Sequence, residues 1–293
     1  MQYVVMDLEW NTAYSRKHSS FFNEVIEIGA VKLDENFNII DTMSTIIKPQ
    51  IGKKLRGKVK TLTHITNEDI SSGAVYPHAV KEFSKWLGKE ENVFLTWGDG
   101  DIRVLSKNNE YFCDTSRLEF INAYADAQKY CQAFLECDSN QQIGLAAACE
   151  KFGIDPEEFS HHRALDDCFM TIECVKKVFD KDKLGKYINK CDDRFYERLS
   201  FKPFVIRDIN NPLVDKTKLK CVCDICGGKV IRKKKWRFVN QSFRAEFYCP
   251  NCDRHFRLCV RYKQFYDRLD VKRTFSEIQP KNNTDKKEKQ NAE

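Results

Sequence analysis

The sequence predicts an α/β protein in which helices flank a mixed sheet, followed by a small cysteine-rich domain. Two observations support this prediction. Strand-like apolar runs alternate with helix-like segments through residues 1–182, and two Cys-x-x-Cys pairs lie close together after residue 220. A length of 293 residues leaves room for two domains of ordinary size.

The elements of the first domain can be predicted in chain order from their periodicity. Three strands come first, and apolar spacing then predicts a helix over Val75–Leu87. Six further elements follow, of which the first three are a strand from Val93, a helix from Ile102 and a strand over 118–122. The last three are helices that start at Ala123, Ile143 and His162. Strands and helices that alternate in this way form a sheet covered by helices.

Two carboxylates interrupt the first of these strands. Asp7 and Glu9 lie in the apolar run that begins at Tyr3, and residues two apart in a strand point to the same side of the sheet. We expect Trp10 and Asn11 to end this strand. Because a buried carboxylate costs several kcal/mol unless a partner compensates its charge, the pair predicts a metal site.

Two later segments contribute further carboxylates. Asp101 follows the strand at Val93, and ligand sites of α/β sheets favour the carboxyl ends of strands. His162 precedes a helix whose first turn contains Asp166 and Asp167. These two aspartates differ by about 100° around the helix, so only one of them can face the same metal.

These motifs resemble those of a known family. Asp-x-Glu, a middle aspartate and His-x-Ala-x-x-Asp are the three motifs of the DnaQ-like 3′-to-5′ exonucleases of the DEDDh subgroup, which has a histidine in the third motif. Segments 24–34, 62–66 and 97–101 are similar to the Eri-type and KapD-like bacterial exonucleases. The resemblance covers residues 1–182 and implies an RNase H-like fold.

The resemblance also implies how the carboxylates divide their work. Two Mg²⁺ or Mn²⁺ ions are expected, because hard oxygen ligands suit these cations. Asp7 would bridge both ions, Glu9 and Asp167 would hold the ion that binds the attacking water, and Asp101 would hold the second through water. In a two-metal site the cations clamp the attacking and leaving oxygens of the phosphodiester.

The spacing of the third motif selects one of two adjacent histidines. It selects His162 over His161, and Asp167 over Asp166. By resemblance His162 is the general base, and its ordinary pKa near 6.5 suits proton removal from the attacking water at neutral pH.

The substrate implied by the resemblance is the 3′ end of single-stranded RNA or DNA, from which nucleoside 5′-monophosphates are released. RNA is favoured because the middle motif is of the Eri type. Trp10 is a candidate stacking surface for a terminal base, and Thr63 and His64 lie in a candidate contact loop. One alternative is a DNA exonuclease of repair or proofreading, and the other is a non-catalytic adaptor that binds nucleic acid or protein.

The cysteines predict a second metal site of a different kind. The chain has 13 cysteines, an odd number without a secretion signal, which argues against a disulfide framework. Cys223, Cys226, Cys249 and Cys252 have the spacing of four thiolate ligands around one structural Zn²⁺. Two hairpin strands, 229–238 and 242–248, would complete a zinc-ribbon-like domain that needs its metal to fold. Cys221 is an alternative ligand.

Charge distinguishes the second domain from the first. Residues 216–273 contain 17 Lys and Arg against 5 Asp and Glu, a net charge of +12, whereas residues 1–215 contain 28 against 34. A basic run with aromatic neighbours predicts contact with phosphates and bases, and its candidate residues are Arg232, Lys233, Lys234, Lys235, Trp236 and Arg237. Zinc ribbons also dock proteins, so a protein partner is the alternative.

The remaining segments complete the predicted organisation. Residues 183–215 are expected to connect the domains through helical and extended stretches, and residues 274–293 are expected to be a disordered, charged tail. No apolar run has the length of about 18 residues that a transmembrane helix needs, and no signal sequence precedes the first strand. We therefore expect a cytoplasmic protein without a membrane partner.

Overall fold

The computed structural model describes residues 1–136, 142–159 and 163–278. The chain divides into two compact units, Met1–Ser200 and Phe201–Glu293, which are described separately. Among the described residues, no helix is both long and apolar enough to cross a membrane.

The first unit is built on a mixed sheet with the strand order β3-β2-β1-β4-β5-β6. The described strands are β1 (Gln2–Ser15), β2 (Ser20–Leu33), β3 (Ile39–Ile46), β4 (Asn92–Thr96), β5 (Ala123–Asp126) and β6 (Asn189–Lys190). β1, β4 and β5 are parallel neighbours, whereas β2, β3 and β6 pair in antiparallel fashion. β1 is thus a central strand with a partner on each side.

Helices cover both faces of this sheet. The described helices are α1 (Gly57–Thr63), α2 (Asn67–Ser72), α3 (Tyr76–Leu87), α4 (Gly100–Cys113), α5 (Ala127–Gln132), α6 (Leu145–Lys151), α7 (Ala164–Val178), α8 (Lys181–Gly185) and α9 (Asp193–Ser200). One core lies between the sheet and α3, α4 and α9, and a second lies between the sheet and α5, α6 and α7. Alternate side chains of β1 enter the two cores, as Val4 and Val5 illustrate. The mixed sheet covered by helices is as predicted.

Several predicted boundaries in the first unit are wrong. β1 continues to Ser15 instead of ending near Trp10, because it pairs with β2 as a long hairpin. The predicted strand over 118–122 is irregular, and the strand lies at Ala123–Asp126, where a helix was expected to start. The Asp126 carboxylate accepts a hydrogen bond from the N–H of Lys129 and so caps the N-terminus of α5. The helix therefore begins after Asp126 instead of at Ala123.

The predicted connector does not form a separate segment. Its helical part belongs to the first unit, because Cys191, Tyr196 and Leu199 are buried in the core next to α3 and α4. Its extended part belongs to the second unit, where Ile206 and Val214 are buried. The apolar residues that the sequence placed between domains are therefore core residues of one domain or the other.

The second unit is a β-sheet domain with the described strand order β12-β11-β10-β8. Its described strands are β7 (Phe204–Val205), β8 (Ile231–Arg232), β9 (Arg237–Val239), β10 (Ser242–Cys249), β11 (Arg254–Gln264) and β12 (Leu269–Glu277). The predicted hairpin strand over 229–238 is replaced by two short strands, β8 and β9, which both pair with β10.

The second unit has more core than its sequence suggested. Alternate residues of β10 and β11 are buried against each other, among them Phe243, Phe247, Phe256, Leu258 and Tyr262. β12 also extends to Glu277, so residues 274–277 are not part of a disordered tail, since Phe275 pairs with Leu258 and packs against Phe256. Residues 279–293 of the predicted tail lie outside the described residues.

Candidate active site and cysteine cluster

The first two carboxylates stand side by side on β1. Asp7 and Glu9 point to the same side of the sheet, while Leu8 between them is buried in the opposite core. A β-bulge follows at once, because Glu9 pairs with Glu27 but Trp10 pairs with Val25. Bulges of this kind change the direction of a strand and occur frequently beside active sites.

The third carboxylate comes from α7. Asp167 lies in the first turn of this helix, and ligand oxygens of Asp7, Glu9 and Asp167 all lie within 4.8 Å of one another. The helix can come this close because Gly29, the β2 partner of Asp7, has no side chain. A Cβ atom at position 29 would lie 2.4 Å from the backbone of Ala164. The neighbouring aspartate Asp166 is not part of this cluster.

The fourth carboxylate comes from the first turn of α4. β4 stops pairing with β1 at Val5, so the later N–H groups on that edge of β1 need other acceptors. The backbone N–H of Leu8 faces the Asp101 carboxyl and partly offsets the rise in its pKa that burial causes. Asp101 is 6% exposed and lines the same cleft as the other three carboxylates.

The electrostatics of this cluster fit a divalent cation. Burial, together with the neighbouring carboxylates, raises the pKa of Asp7 well above its usual value and that of Glu9 to about 8. Burial likewise raises the pKa of Asp101 to about 7. Carboxylates that share a site cannot all ionise without a compensating charge. Oxygen ligands at these distances could hold Mg²⁺ or Mn²⁺, which would supply that charge.

The raised pKa values predict how stability depends on pH. Unfolded Asp and Glu lose their protons near pH 4, whereas folded Glu9 and Asp101 keep theirs to about pH 7–8. Between these limits the folded state binds more protons, so its stability is greatest at low pH and falls as pH rises. Without divalent metal, we expect the melting temperature of the first unit to fall between pH 5 and pH 8.

Calorimetry with and without Mn²⁺ measures this effect. Added Mn²⁺ should raise the melting temperature more at pH 8 than at pH 5, because at pH 5 it competes with bound protons. The matched control is Glu9→Gln, which should flatten the pH dependence of the metal-free protein. The same slope in both proteins would contradict the cluster's electrostatics.

An ion pair between buried Glu27 and half-buried Arg163, which the sequence analysis missed, supports α7. The Glu27 carboxylate is fully buried and accepts two hydrogen bonds from the Arg163 Nε and Nη2 atoms, at 3.1 and 2.7 Å. It also accepts a hydrogen bond from the N–H of Ala164, the first residue of α7. The ion pair thus fixes the start of the helix that carries Asp167. A charge within the apolar run of β2 was the available sequence signal.

Breaking this ion pair should destabilise the first unit. Arg163→Met leaves the Glu27 carboxylate buried without its partner, and we expect a loss of about 2–3 kcal/mol in the free energy of unfolding. This is below the loss of about 3–5 kcal/mol usual for a fully buried pair, because Arg163 is partly exposed. The double variant Glu27→Gln/Arg163→Met should recover most of the loss. Urea denaturation tests both, and equal stability of the single and double variants would argue against this role.

The carboxylates lie in a cleft of about 970 Å³. Trp10, Arg56, Lys58 and Thr63 line it too, and both cations were missed by the sequence analysis. Thr63 is buried and its hydroxyl donates a hydrogen bond to the Val59 carbonyl. Thr63 therefore shapes the wall of the cleft and does not offer a free hydroxyl to a substrate.

The two remaining predicted residues of this site lie elsewhere. His64 is exposed at the end of α1 and is not among the residues that line the cleft. His162 and its neighbour His161 lie outside the described residues, so the role of His162 stays a prediction. The described Arg163 follows them immediately in the chain.

The four predicted cysteines form a cluster in the second unit. Ligand sulfurs of Cys223, Cys226, Cys249 and Cys252 all lie within 4.8 Å of one another. Backbone N–H groups of Cys226 and Ile225 lower the pKa of Cys223 to about 6, which favours the thiolate that binds metal.

The turn geometry and the neighbours of this cluster fit a closed four-thiolate site. Gly227 adopts the left-handed φ of 69° that the turn after Cys226 requires. The thiol of Cys221 donates to the Val222 carbonyl instead, and neither Cys221 nor His255 belongs to the cluster. The arrangement fits the tetrahedral thiolate site of a structural zinc ion.

The structure brings only part of the predicted basic run to one place. Arg232 and Trp236 line a pocket of about 550 Å³ together with Lys216, Lys220 and Phe247. The others point elsewhere: the Lys234 ammonium pairs with Glu246 at 2.6 Å, that of Lys233 lies over the Tyr248 ring, and Lys235 and Arg237 are exposed.

Comparison with known proteins identifies the family. A family model described as exonuclease (RNase T) matches residues 4–175, which contain all four carboxylates of the cleft. The chain belongs to this exonuclease family. The resemblance to DEDDh exonucleases is confirmed, and the first unit is a 3′-to-5′ exonuclease domain that hydrolyses phosphodiester bonds. The match ends before the second unit begins at Phe201.

Individual relatives differ in how much of their length they share with this exonuclease. The chain is 27% identical over 198 residues to the probable 3′-5′ exonuclease KapD of Bacillus subtilis, and the match covers 64% of the chain and 87% of KapD. It is 28% identical to the PolC-type DNA polymerase III of Clostridium perfringens and 26% identical to 3′-5′ exoribonuclease 1 of Rattus norvegicus. These two matches cover 62% and 51% of the chain, but only 11% and 45% of those proteins.

A solved structure shows the same fold. The nuclease domain of 3′hExo, a DEDDh family member bound to rAMP, superposes with a TM-score of 0.56 at 21% sequence identity. The match covers 65% of this chain and 97% of that domain. The RNase H-like fold predicted for this exonuclease is therefore confirmed.

Proposed function

We propose that this exonuclease removes nucleoside 5′-monophosphates from the 3′ ends of single-stranded RNA. The observation that carries the proposal is the cluster of Asp7, Glu9 and Asp167 within 4.8 Å, with Asp101 in the same cleft. The preference for RNA rests on the Eri-type middle motif and on the similarity to a protein named exoribonuclease.

The proposed chemistry depends on two Mg²⁺ or Mn²⁺ ions at these carboxylates. When bound, such cations clamp the attacking and leaving oxygens and neutralise the charge that develops on the phosphate. The Asp7 carboxyl interacts with those of Asp101, Asp167 and Glu9 and would contact both ions. The imidazole of His162 would accept the proton of the attacking water. Trp10 would stack on the terminal base, and Arg56 and Lys58 would attract the phosphates.

Labelled substrates test this proposal. RNA and DNA of one sequence, labelled at the 5′ end, are incubated with Mg²⁺, Mn²⁺ or EDTA, and products are resolved on a gel. We expect a ladder that shortens from the 3′ end, metal dependence, and faster loss of RNA. Faster loss of DNA would favour the repair or proofreading alternative, and binding without cleavage in either metal would favour the adaptor. Release of nucleoside 5′-monophosphates is checked by chromatography.

For the second unit we propose a structural zinc ion and a nucleic-acid-binding surface. The support is the four-thiolate cluster, the net charge of +12 over residues 216–273, and the pocket that places cations beside Trp236 and Phe247. Lys216, Lys220 and Arg232 make no ion pair with any described residue, so their charges are available to phosphates. A cytoplasmic location is proposed from the sequence alone, and imaging of a tagged chain would test it.

Salt dependence tests the role of this surface. Replacing Lys216, Lys220 and Arg232 with alanine should reduce the slope of log K against log salt by about 2, at ~0.7 per lost phosphate contact. The matched control is Lys234→Ala, because the Lys234 ammonium is already paired with Glu246. An unchanged slope in the triple variant would reject nucleic-acid binding and leave a protein partner as the better account.

A further inference from the structure

Two aromatic side chains near the end of the β1–β2 hairpin are exposed without a role in the core. Tyr14 is 55% exposed and Phe21 is 67% exposed. They are directly paired across the hairpin, and their ring centroids lie 5.7 Å apart at 83°. Aromatic rings left in water in this way are a feature of binding surfaces.

A cation connects this aromatic pair to the active-site cleft. The Arg56 guanidinium lies 5.4 Å from the centre of the Phe21 ring, and Arg56 also lines the cleft of the carboxylates. Trp10 and Thr12 line the cleft along β1, so Tyr14 is the next side chain in the same alternation. The cleft and the exposed pair thus lie along the same hairpin and have Arg56 in common.

Hydrogen bonds to the buried side chains of Asn11 and Glu24 fix the backbone position of Arg56. Its N–H donates to the Asn11 Oδ1 atom at 3.1 Å, and Asn11 Nδ2 donates to the Lys54 carbonyl. The Glu24 carboxylate, which is 1% exposed, accepts hydrogen bonds from the N–H groups of Ile51 and Gly52. Asn11 and Glu24 are paired across the hairpin, so the hairpin itself holds the loop that carries Arg56.

The end of the hairpin is also held in place. Tyr111 of α4 lies 4.9 Å from both the His18 and Phe22 rings, and its hydroxyl contacts the Ser15 hydroxyl at 3.2 Å. The aromatic pair is therefore presented on a braced strand, which reduces the entropy lost when a ligand binds.

We propose that Tyr14, Phe21 and Arg56 form a subsite for an unpaired base upstream of the 3′ end. The inference rests on the proposed 3′-exonuclease function. Tyr14 lies five positions after Glu9 along β1, which corresponds to about 16 Å at ~3.3 Å per residue, so the subsite receives a base a few nucleotides from the scissile bond. The aromatic rings stack on the base, and the guanidinium meets its phosphate.

This subsite selects substrates by length and strandedness. An oligonucleotide too short to reach Tyr14 and Phe21 gains no affinity from them, whereas a longer unpaired oligonucleotide gains the affinity of one stacked base. Stacking on an aromatic side chain contributes roughly a tenfold gain in affinity for each base. A base that is paired in a duplex has no free face for these rings.

Kinetics on oligonucleotides of increasing length test the subsite. For Tyr14→Ala/Phe21→Ala we expect KM to rise about tenfold on single strands of ten nucleotides, with kcat unchanged, and to stay near the parent value on dinucleotides. Tyr14→Phe/Phe21→Trp should restore the parent KM. The matched control is Phe134→Ala, which removes an exposed ring with Lys183 above it and lies outside the cleft lining.

A binding measurement separates this inference from the proposed function. Single strands with 2-aminopurine at successive positions from the 3′ end are titrated with the full chain without added Mg²⁺ or Mn²⁺, so that binding is measured without hydrolysis. Quenching confined to one upstream position, and lost in Tyr14→Ala/Phe21→Ala, supports the subsite even if catalysis fails. Equal quenching in parent and double variant, or an equal rise in KM at all lengths, overturns it and favours a protein partner for this surface.

Discussion

Replacing Asp7 with asparagine is expected to lower the turnover of this exonuclease about a thousandfold or more. Asp7 lies within 4.8 Å of both Glu9 and Asp167, and the pKa of its carboxyl is raised further by Asp101. Loss of its charge removes the group that both cations would share. Metal ions in such sites contribute several kcal/mol of transition-state stabilisation, and each 1.36 kcal/mol is a factor of ten in rate.

The fold should survive this substitution. Asparagine has nearly the same shape, and removal of one negative charge relieves repulsion among the remaining carboxylates. We therefore expect the metal-free Asp7→Asn protein to melt at or above the parent temperature at pH 8. Turnover and melting temperature measured on the same preparation separate loss of catalysis from loss of structure.

The adjacent aspartate on α7 provides the matched control. Asp166→Asn also removes one carboxylate from the first turn of that helix, but Asp166 is not in the cluster. It should retain turnover within a few-fold of the parent. If Asp166→Asn is inactive and Asp7→Asn is active, the assignment of the metal ligands is wrong.

Replacing Cys249 with serine should unfold the second unit and abolish binding of the zinc ion proposed for the cysteine cluster. Cys249 is fully buried and ends β10, where its sulfur lies 3.6 Å from that of Cys226. Structural zinc in small domains binds with about 10–16 kcal/mol, whereas a small domain has a net stability of about 5–15 kcal/mol. The sheet core of this unit is thus not expected to compensate for the lost site.

Metal content and tryptophan fluorescence measure this effect. We expect about one zinc ion per parent chain and close to none in Cys249→Ser. The emission of Trp236 should shift to longer wavelength in that variant, because the ring packs against Phe247 in the folded unit. Cys221→Ser is the matched control and should retain its zinc. A chain that keeps zinc in Cys249→Ser and loses it in Cys221→Ser would reverse the ligand assignment.

The sequence predicted the carboxylate cluster because the chemistry of these residues conflicts with their surroundings. Asp7 and Glu9 in an apolar strand, and four cysteines at ligand spacing, are local patterns that need no knowledge of tertiary contacts. Glu27 is equally unusual in its strand, but its partner Arg163 is 136 residues away and could not be paired with it by spacing. The same limit applies to Arg56, whose place in the cleft depends on the buried Asn11.

The predicted boundaries failed where tertiary packing decides the outcome. The end of β1 was expected at Trp10, yet the pairing of Tyr14 with Phe21 extends the hairpin. The connector was expected to be a linker, yet Tyr196 and Val214 are core residues of different units. In both cases the apolar residues were visible in the sequence, but the surfaces that bury them were not.

The backbone contact at Gly29 limits which substitutions this enzyme tolerates. The backbone of Gly29 on β2 contacts the backbone of Ala164 on α7, and this contact sets the separation between Asp167 and the carboxylates of β1. A Cβ atom at position 29 would lie only 2.4 Å from the Ala164 backbone. A single added methyl group at position 29 would therefore push α7 away from β2 and separate Asp167 from Asp7 and Glu9.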